Sequence, residues 1–136
     1  MKLREVLVVD DSDADLLYAR LILEAAGVAD KVSTFETAHD VLDYLQRPEG
    51  HAVDVILLDL NMPEMNGFEF LEAYQKLHRA QRARAVVVML TSSPDPADQA
   101  RALSFDCVKG YVVKPIDLAA AAGLVAWVEA AAAARD

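Results

Sequence analysis

Five polar residues stand where apolar runs end. Asp10 and Asp11 follow Val6-Leu7-Val8-Val9, Asp59 follows Val55-Ile56-Leu57-Leu58, Thr91 follows Val88-Met89-Leu90, and Lys114 follows Val112-Val113. The three carboxylates contribute −3 and Lys114 +1, so a pocket built from them carries −2. Two carboxylates about 4 Å apart repel by roughly 4 kcal/mol at an effective dielectric of 20. A hard divalent cation with oxygen ligands removes that repulsion. Mg²⁺ suits a few carboxylates, a carbonyl and waters, and favours sites that also receive phosphate. A metal, a lysine and a hydroxyl together would cradle a phosphoryl group. Asp59, with an apolar strand behind it, is the candidate nucleophile. The metal would screen its charge and polarise the incoming phosphorus.

The elements that must position these groups alternate along the chain. Short β-branched runs lie at Glu5–Val9, Lys31–Phe35, Val53–Leu58, Ala85–Leu90 and Gly110–Val113. Three of them hold uninterrupted apolar stretches (Val6–Val9, Val55–Leu58 and Ala85–Leu90), which marks strands covered on both faces, as in a parallel sheet between helices. Helices are expected near 13–26, 37–47, 67–79, 96–105 and 117–134. Ser12, Thr37 and Asn66 each stand three residues before an acid, the pattern of an N-cap. Asp95-Pro96 and Asp117 offer further caps, and Gly27 stands where the first helix should stop. The order βαβαβαβαβα implies a right-handed, doubly wound α/β sheet. Periodicity alone leaves the strand order open. The polar strand ends would share the carboxyl edge, where open α/β sheets place their ligand crevice.

Composition narrows the function classes. The chain has 136 residues, a single domain's worth, and is 54% apolar. Its net charge of −9 argues against a nucleic-acid surface. The lone cysteine, Cys107, excludes a disulfide framework and a zinc cluster. His39, His51 and His78 are scattered and lack metal-like spacing. The apolar run at 6–9 is too short for a signal-peptide core. The uncharged stretch from Leu118 to Val128 falls short of the ~20 residues a spanning helix needs. The expectation is a cytoplasmic protein with no membrane partner. No G-x-G-x-x-G follows the first strand, which removes the dinucleotide-binding reading.

The motifs resemble the receiver domain of two-component response regulators, as in the chemotaxis response regulator. They are Val8-Val9-Asp10-Asp11-Ser12, Leu57-Leu58-Asp59-Leu60-Asn61-Met62-Pro63-Glu64-Met65-Asn66-Gly67, Leu90-Thr91-Ser92-Ser93 and Gly110-Tyr111-Val112-Val113-Lys114-Pro115. The resemblance implies a flavodoxin-like (CheY-like) five-stranded parallel sheet of order 2-1-3-4-5 with five helices. It implies a phosphoryl group accepted on Asp59 from a partner sensor histidine kinase or phosphotransfer protein. Asp11, Asp59 and the Asn61 carbonyl would bind Mg²⁺ (Mn²⁺ as a substitute), with Asp10 acting through water. Lys114 would pair with one phosphoryl oxygen and the Thr91 hydroxyl with another, while Tyr111 turns inward. The Lys114-Pro115 peptide would be cis. The face made by the fourth helix, fifth strand and fifth helix would carry the readout, to a partner or to a second copy. Asn61 and Ser93 flank the pocket and leave water access, so an ordinary phosphoryl lifetime is expected.

The expectation is a single receiver domain over 1–136 with no output domain, catalysing only its own phosphoryl transfer and autodephosphorylation. In the last helix, a 3.6-residue period puts Leu118, Ala121, Ala122, Val125 and Val128 on one face. Leu124 and Trp127 fall off it and become interface candidates, for a homodimer or a partner. The rival reading is a Mg²⁺-dependent phosphohydrolase in which Asp11-Ser12-Asp13 supplies an Asp11 nucleophile and an Asp13 acid–base. If Ser12 is a helix cap, Asp13 enters the first turn and points away. A third reading is a phosphorylation-independent adaptor of the same fold.

Overall fold

In the computed structural model the described residues are 2–60, 65–83, 85–90 and 95–135, with side chains described outside 85–90 and 131–135. The chain runs β1 (Leu3–Val9), α1 (Asp13–Ala26), β2 (Ala29–Phe35), α2 (Ala38–Leu45), β3 (Val53–Asp59), α3 (Gly67–Tyr74), a 3₁₀ turn (Arg79–Gln81), β4 (Ala85–Leu90), α4 (Pro96–Leu103), β5 (Val108–Val113) and α5 (Leu118–Arg135). All neighbouring strands are parallel, in the order β2-β1-β3-β4-β5. The alternating pattern and the strand order expected from the resemblance are both present. So is the cis Lys114-Pro115 peptide.

Helix starts follow the local chemistry of their caps. Ser12 Oγ accepts from the Asp15 amide, Thr37 Oγ1 from the Asp40 amide, and Asp95 Oδ1 from the Ala97 amide. Asn66 and Glu69 close a reciprocal capping box. Gly27 ends α1 with φ 64°, a left-handed conformation that glycine adopts without strain. α3 stops at Tyr74, short of the expected 79. The reason lies downstream: Arg82 donates to the carbonyls of Gln75 and Leu77, satisfying groups that a longer helix would have used.

Two bulges set which residues face which layer. Glu5 pairs with Val53 but Val6 pairs with Val55, so Asp54 is the extra residue. Its carboxylate accepts from the Arg4 amide at 2.8 Å, replacing a ladder bond. In β5, Val108 pairs with Val86 and Gly110 with Val87, so Lys109 is the extra residue. Val108 and Val112 would share a face in a regular strand. Here Val108 joins the core beneath α2, α3 and α4, whereas Val112 joins the core beneath α1 and α5.

The last helix departs from the expected face. Ala121, Leu124 and Val128 are fully buried, Leu118 is 53% exposed, and Ala122 is exposed. Leu124 is therefore a core residue and not a surface contact. An Ala-rich helix is weakly apolar on every side, so its period leaves the buried stripe undecided. Its contacts with the sheet and α1 decide it instead. Trp127 is half-buried, with its indole over Gly110 of β5.

Candidate functional site

β1 and β3 lie side by side and end together, which brings their terminal acids to one place. Asp10 is fully buried just beyond β1, and its amide still donates to Phe35 O of β2 at 3.1 Å. Asp59 is the last residue of β3 and is 4% exposed. Asp11 is exposed at the rim. Carboxylate oxygens of Asp10, Asp11 and Asp59 all lie within 4.8 Å of one another. Three hard oxygen donors this close, two of them buried, fit a divalent cation of the Mg²⁺ class. Asn61 and Thr91, like Ser93, lie outside the described residues.

Lys114, just past β5, is the counter-charge. Its Nζ donates to Asp10 Oδ2 at 2.6 Å and to Asp15 Oδ2 at 3.2 Å, and lies 3.6 Å from Asp59 Oδ2. Burial alone would push the ammonium pKa down. The hydrogen bond to Asp10, the charges of Asp59 and Asp10, and the Asp15 bond outweigh it and hold the pKa above the ordinary lysine value. The second Asp10 oxygen, Oδ1, accepts from the Ser12 amide at 3.0 Å. Asp10 is thus satisfied on both sides, as a buried carboxylate must be.

The sequence reading missed two contributors. Asp15 reads locally as an acid in the first turn of α1, and its partner Lys114 stands 99 residues away. Gly67 closes the long motif after β3 and carries no side chain to signal a role. A Cβ there would lie 2.6 Å from Leu60 Cα and 3.0 Å from Asp59 O, so only glycine lets α3 start this close to the Asp59 backbone. Other polar residues have structural roles. His51 Nδ1 accepts from the Val53 amide, and burial pushes the Cys107 thiol pKa up. Tyr111 is 42% exposed on β5, pointing outward.

Comparison with known proteins agrees with this geometry. The family model described as "Response regulator receiver domain" matches residues 6–125. The chain is 32% identical over 115 residues to the probable methanogenesis regulatory protein FilR2 of Methanothrix harundinacea, covering 82% of this chain and 72% of that protein. It is 30% identical over 129 residues to probable histidine kinase 6 of Oryza sativa subsp. japonica, covering 84% of this chain but only 13% of the kinase. The crystal structure of a two-component response regulator from Cytophaga hutchinsonii superposes with a TM-score of 0.81 at 27% identity, covering 96% of this chain and 99% of that one. No helix among the described residues is long and apolar enough to cross a membrane. A pocket of convergent acids and one lysine, on this fold and with these relatives, places the chain in the response regulator receiver domain family.

Proposed function

We propose that this protein is a phosphorylation-operated signalling switch in which Asp59 accepts a phosphoryl group from the phosphohistidine of a sensor histidine kinase or phosphotransfer protein. The observation that carries the reading is the clustering of Asp10, Asp11 and Asp59 within 4.8 Å beside the Lys114 ammonium. Asp11 and Asp59, with the Asn61 carbonyl, would hold Mg²⁺ or Mn²⁺, and Asp10 would act through water. The ion, when bound, supplies charge neutralisation at the attacking carboxylate and at the phosphoryl oxygens. An Asp59 oxygen attacks phosphorus, the P–N bond breaks with its electron pair going to the ring nitrogen, and the imidazole leaves neutral because its other ring nitrogen already carries a proton. Lys114 pairs with a phosphoryl oxygen and Thr91 with another. The protein catalyses only this transfer and its own dephosphorylation.

Phosphorylation exchanges one charge for about −1.5 to −2 and adds three acceptors. The change biases the α4-β5-α5 face between two packings. The outward Tyr111, ready to turn inward, supports this reading. So does the exposure of Leu103 on α4, Val113 on β5 and Leu118 on α5, apolar side chains open to a partner or to a second copy. Residues 1–136 act as one receiver unit in the cytoplasm, where kinase and phosphodonor meet. The net charge of −9 fits a protein partner better than a nucleic acid. The hydrolase reading is disfavoured by Asp13, which stands beside Glu36 and pushes that carboxyl's pKa up, and which is not among the three clustered acids.

Incubation with acetyl phosphate and Mg²⁺, followed by intact-mass and peptide mapping, tests the proposal. One phosphoryl group on Asp59 is expected, lost in Asp59→Asn and lost with EDTA. Modification of Asp11 instead would restore the hydrolase reading. No modification from any donor would leave the adaptor.

A further inference from the structure

An ammonium has three N–H donors and no acceptor. At Lys114 two of them are bonded to Asp10 and Asp15, and the third charge nearby is Asp59 at 3.6 Å, beyond hydrogen-bond reach. The three acids are not equivalent. The Asp10 side chain is 1% exposed and also held by the Ser12 amide, and the Asp59 side chain is 6% exposed. The Asp15 side chain is 50% exposed on the first turn of α1. Water can replace the Lys114 contact at Asp15 with little loss, as for other half-exposed ion pairs. At Asp10 it cannot.

Resting on the receiver reading, we propose that Asp15 is a positioning residue of the phosphoryl pocket: it holds Lys114 in the unmodified protein and must release it when Asp59 carries a phosphoryl group. New oxygens beyond Asp59 draw the ammonium toward them. The buried Asp10 contact persists, and the rim contact to Asp15 is the one given up. Asp15 also presents a negative charge at the mouth, where an anionic small-molecule donor must enter. Both effects act in one direction. Asp15 slows charging by small anionic phosphodonors and leaves the pocket to a docked protein donor that brings its own contacts.

The test compares charging by acetyl phosphate at saturating Mg²⁺ in wild type, Asp15→Asn, Asp15→Glu and Asp13→Asn, with Asp59→Asn as the blank. Asp13 sits in the same helical turn without a Lys114 contact, so both Asn variants lose similar helix-dipole stabilisation. At low ionic strength Asp15→Asn should charge about fivefold faster, the size of one half-exposed ion pair. Asp15→Glu should return the rate toward wild type, and Asp13→Asn should match wild type. The advantage of Asp15→Asn should shrink as salt screens the mouth, a dependence that a folding defect would not produce. Equal rates for Asp15→Asn and wild type, or the same gain in Asp13→Asn, would overturn the role of Asp15 while leaving Asp59 as acceptor. A wild-type protein that never charges, or an Asp59→Asn variant that still does, would overturn both.

Discussion

The Trp127 indole fills the space that a side chain at Gly110 would need: a Cβ there would lie 2.7 Å from indole Cε2. This contact fastens α5 to β5 directly beside Tyr111. Gly110→Ala should therefore destabilise the fold by about 1–3 kcal/mol through overpacking. Trp127→Leu vacates part of that space. The double variant should be less destabilised than the two singles added together, a coupling that urea unfolding of all four proteins would measure. Strict additivity would mean that the indole moves aside at no cost.

Gly67 meets backbone where Gly110 meets a side chain. A methyl at 67 cannot displace Leu60 Cα without moving the residues that follow Asp59. Gly67→Ala should cost about 1–3 kcal/mol. It should also slow phosphoryl acceptance, because the Asp59 carbonyl is part of the same contact. Thermal unfolding and acetyl phosphate kinetics on one preparation check the two effects together. A variant of normal stability and normal rate would contradict the close packing.

The raised pKa of Lys114 fixes a sign for pH dependence. A folded-state value above the unfolded one adds stability that is complete below the unfolded pKa of about 10.4 and is lost as pH rises through the folded pKa. The stability difference between wild type and Lys114→Met should be flat from neutral pH to about 9.5 and should fall above about 10.5. Urea titrations across that range read it directly. The same sign keeps Lys114 charged throughout the physiological range.

Divalent cations should stabilise the protein by linkage. At Mg²⁺ a hundredfold above its dissociation constant the gain is about 2.7 kcal/mol, or roughly 8 °C in Tm for a chain of this size. EDTA should reverse it. Asp11→Asn should lose most of the response, yet without metal it should be no less stable than wild type, because one of three mutually repelling carboxylates is gone. A full Mg²⁺ response in Asp11→Asn would remove that residue from the ligand set.

Much of this was legible in the sequence because its signals are local. The uninterrupted apolar runs identified β1 and β3 as strands covered on both faces, and β4 as a strand. The caps Ser12, Thr37, Asn66 and Asp95 marked helix starts through bonds spanning two or three residues. The site acids and Lys114 were visible because a polar residue closing an apolar strand needs a reason. What stayed hidden depends on contacts between distant segments. The Asp15–Lys114 bond links opposite ends of the chain. The early stop of α3 depends on Arg82, eight residues beyond Tyr74. Leu124 was misplaced because a helix rich in alanine carries too little contrast between its sides for period alone to orient it.

The surplus residue at Lys109 decides more than a hydrogen-bonding detail. It resets the parity of the strand, so that the bare backbone of Gly110 meets the indole while the neighbouring phenol looks outward. Were Lys109 paired in the ladder instead, the arrangement would invert without altering any amino acid: the phenol would be driven against Trp127, and the glycine would face away from it. Which chemistry this edge offers to the outside is thus settled by counting residues along the strand as much as by their identities.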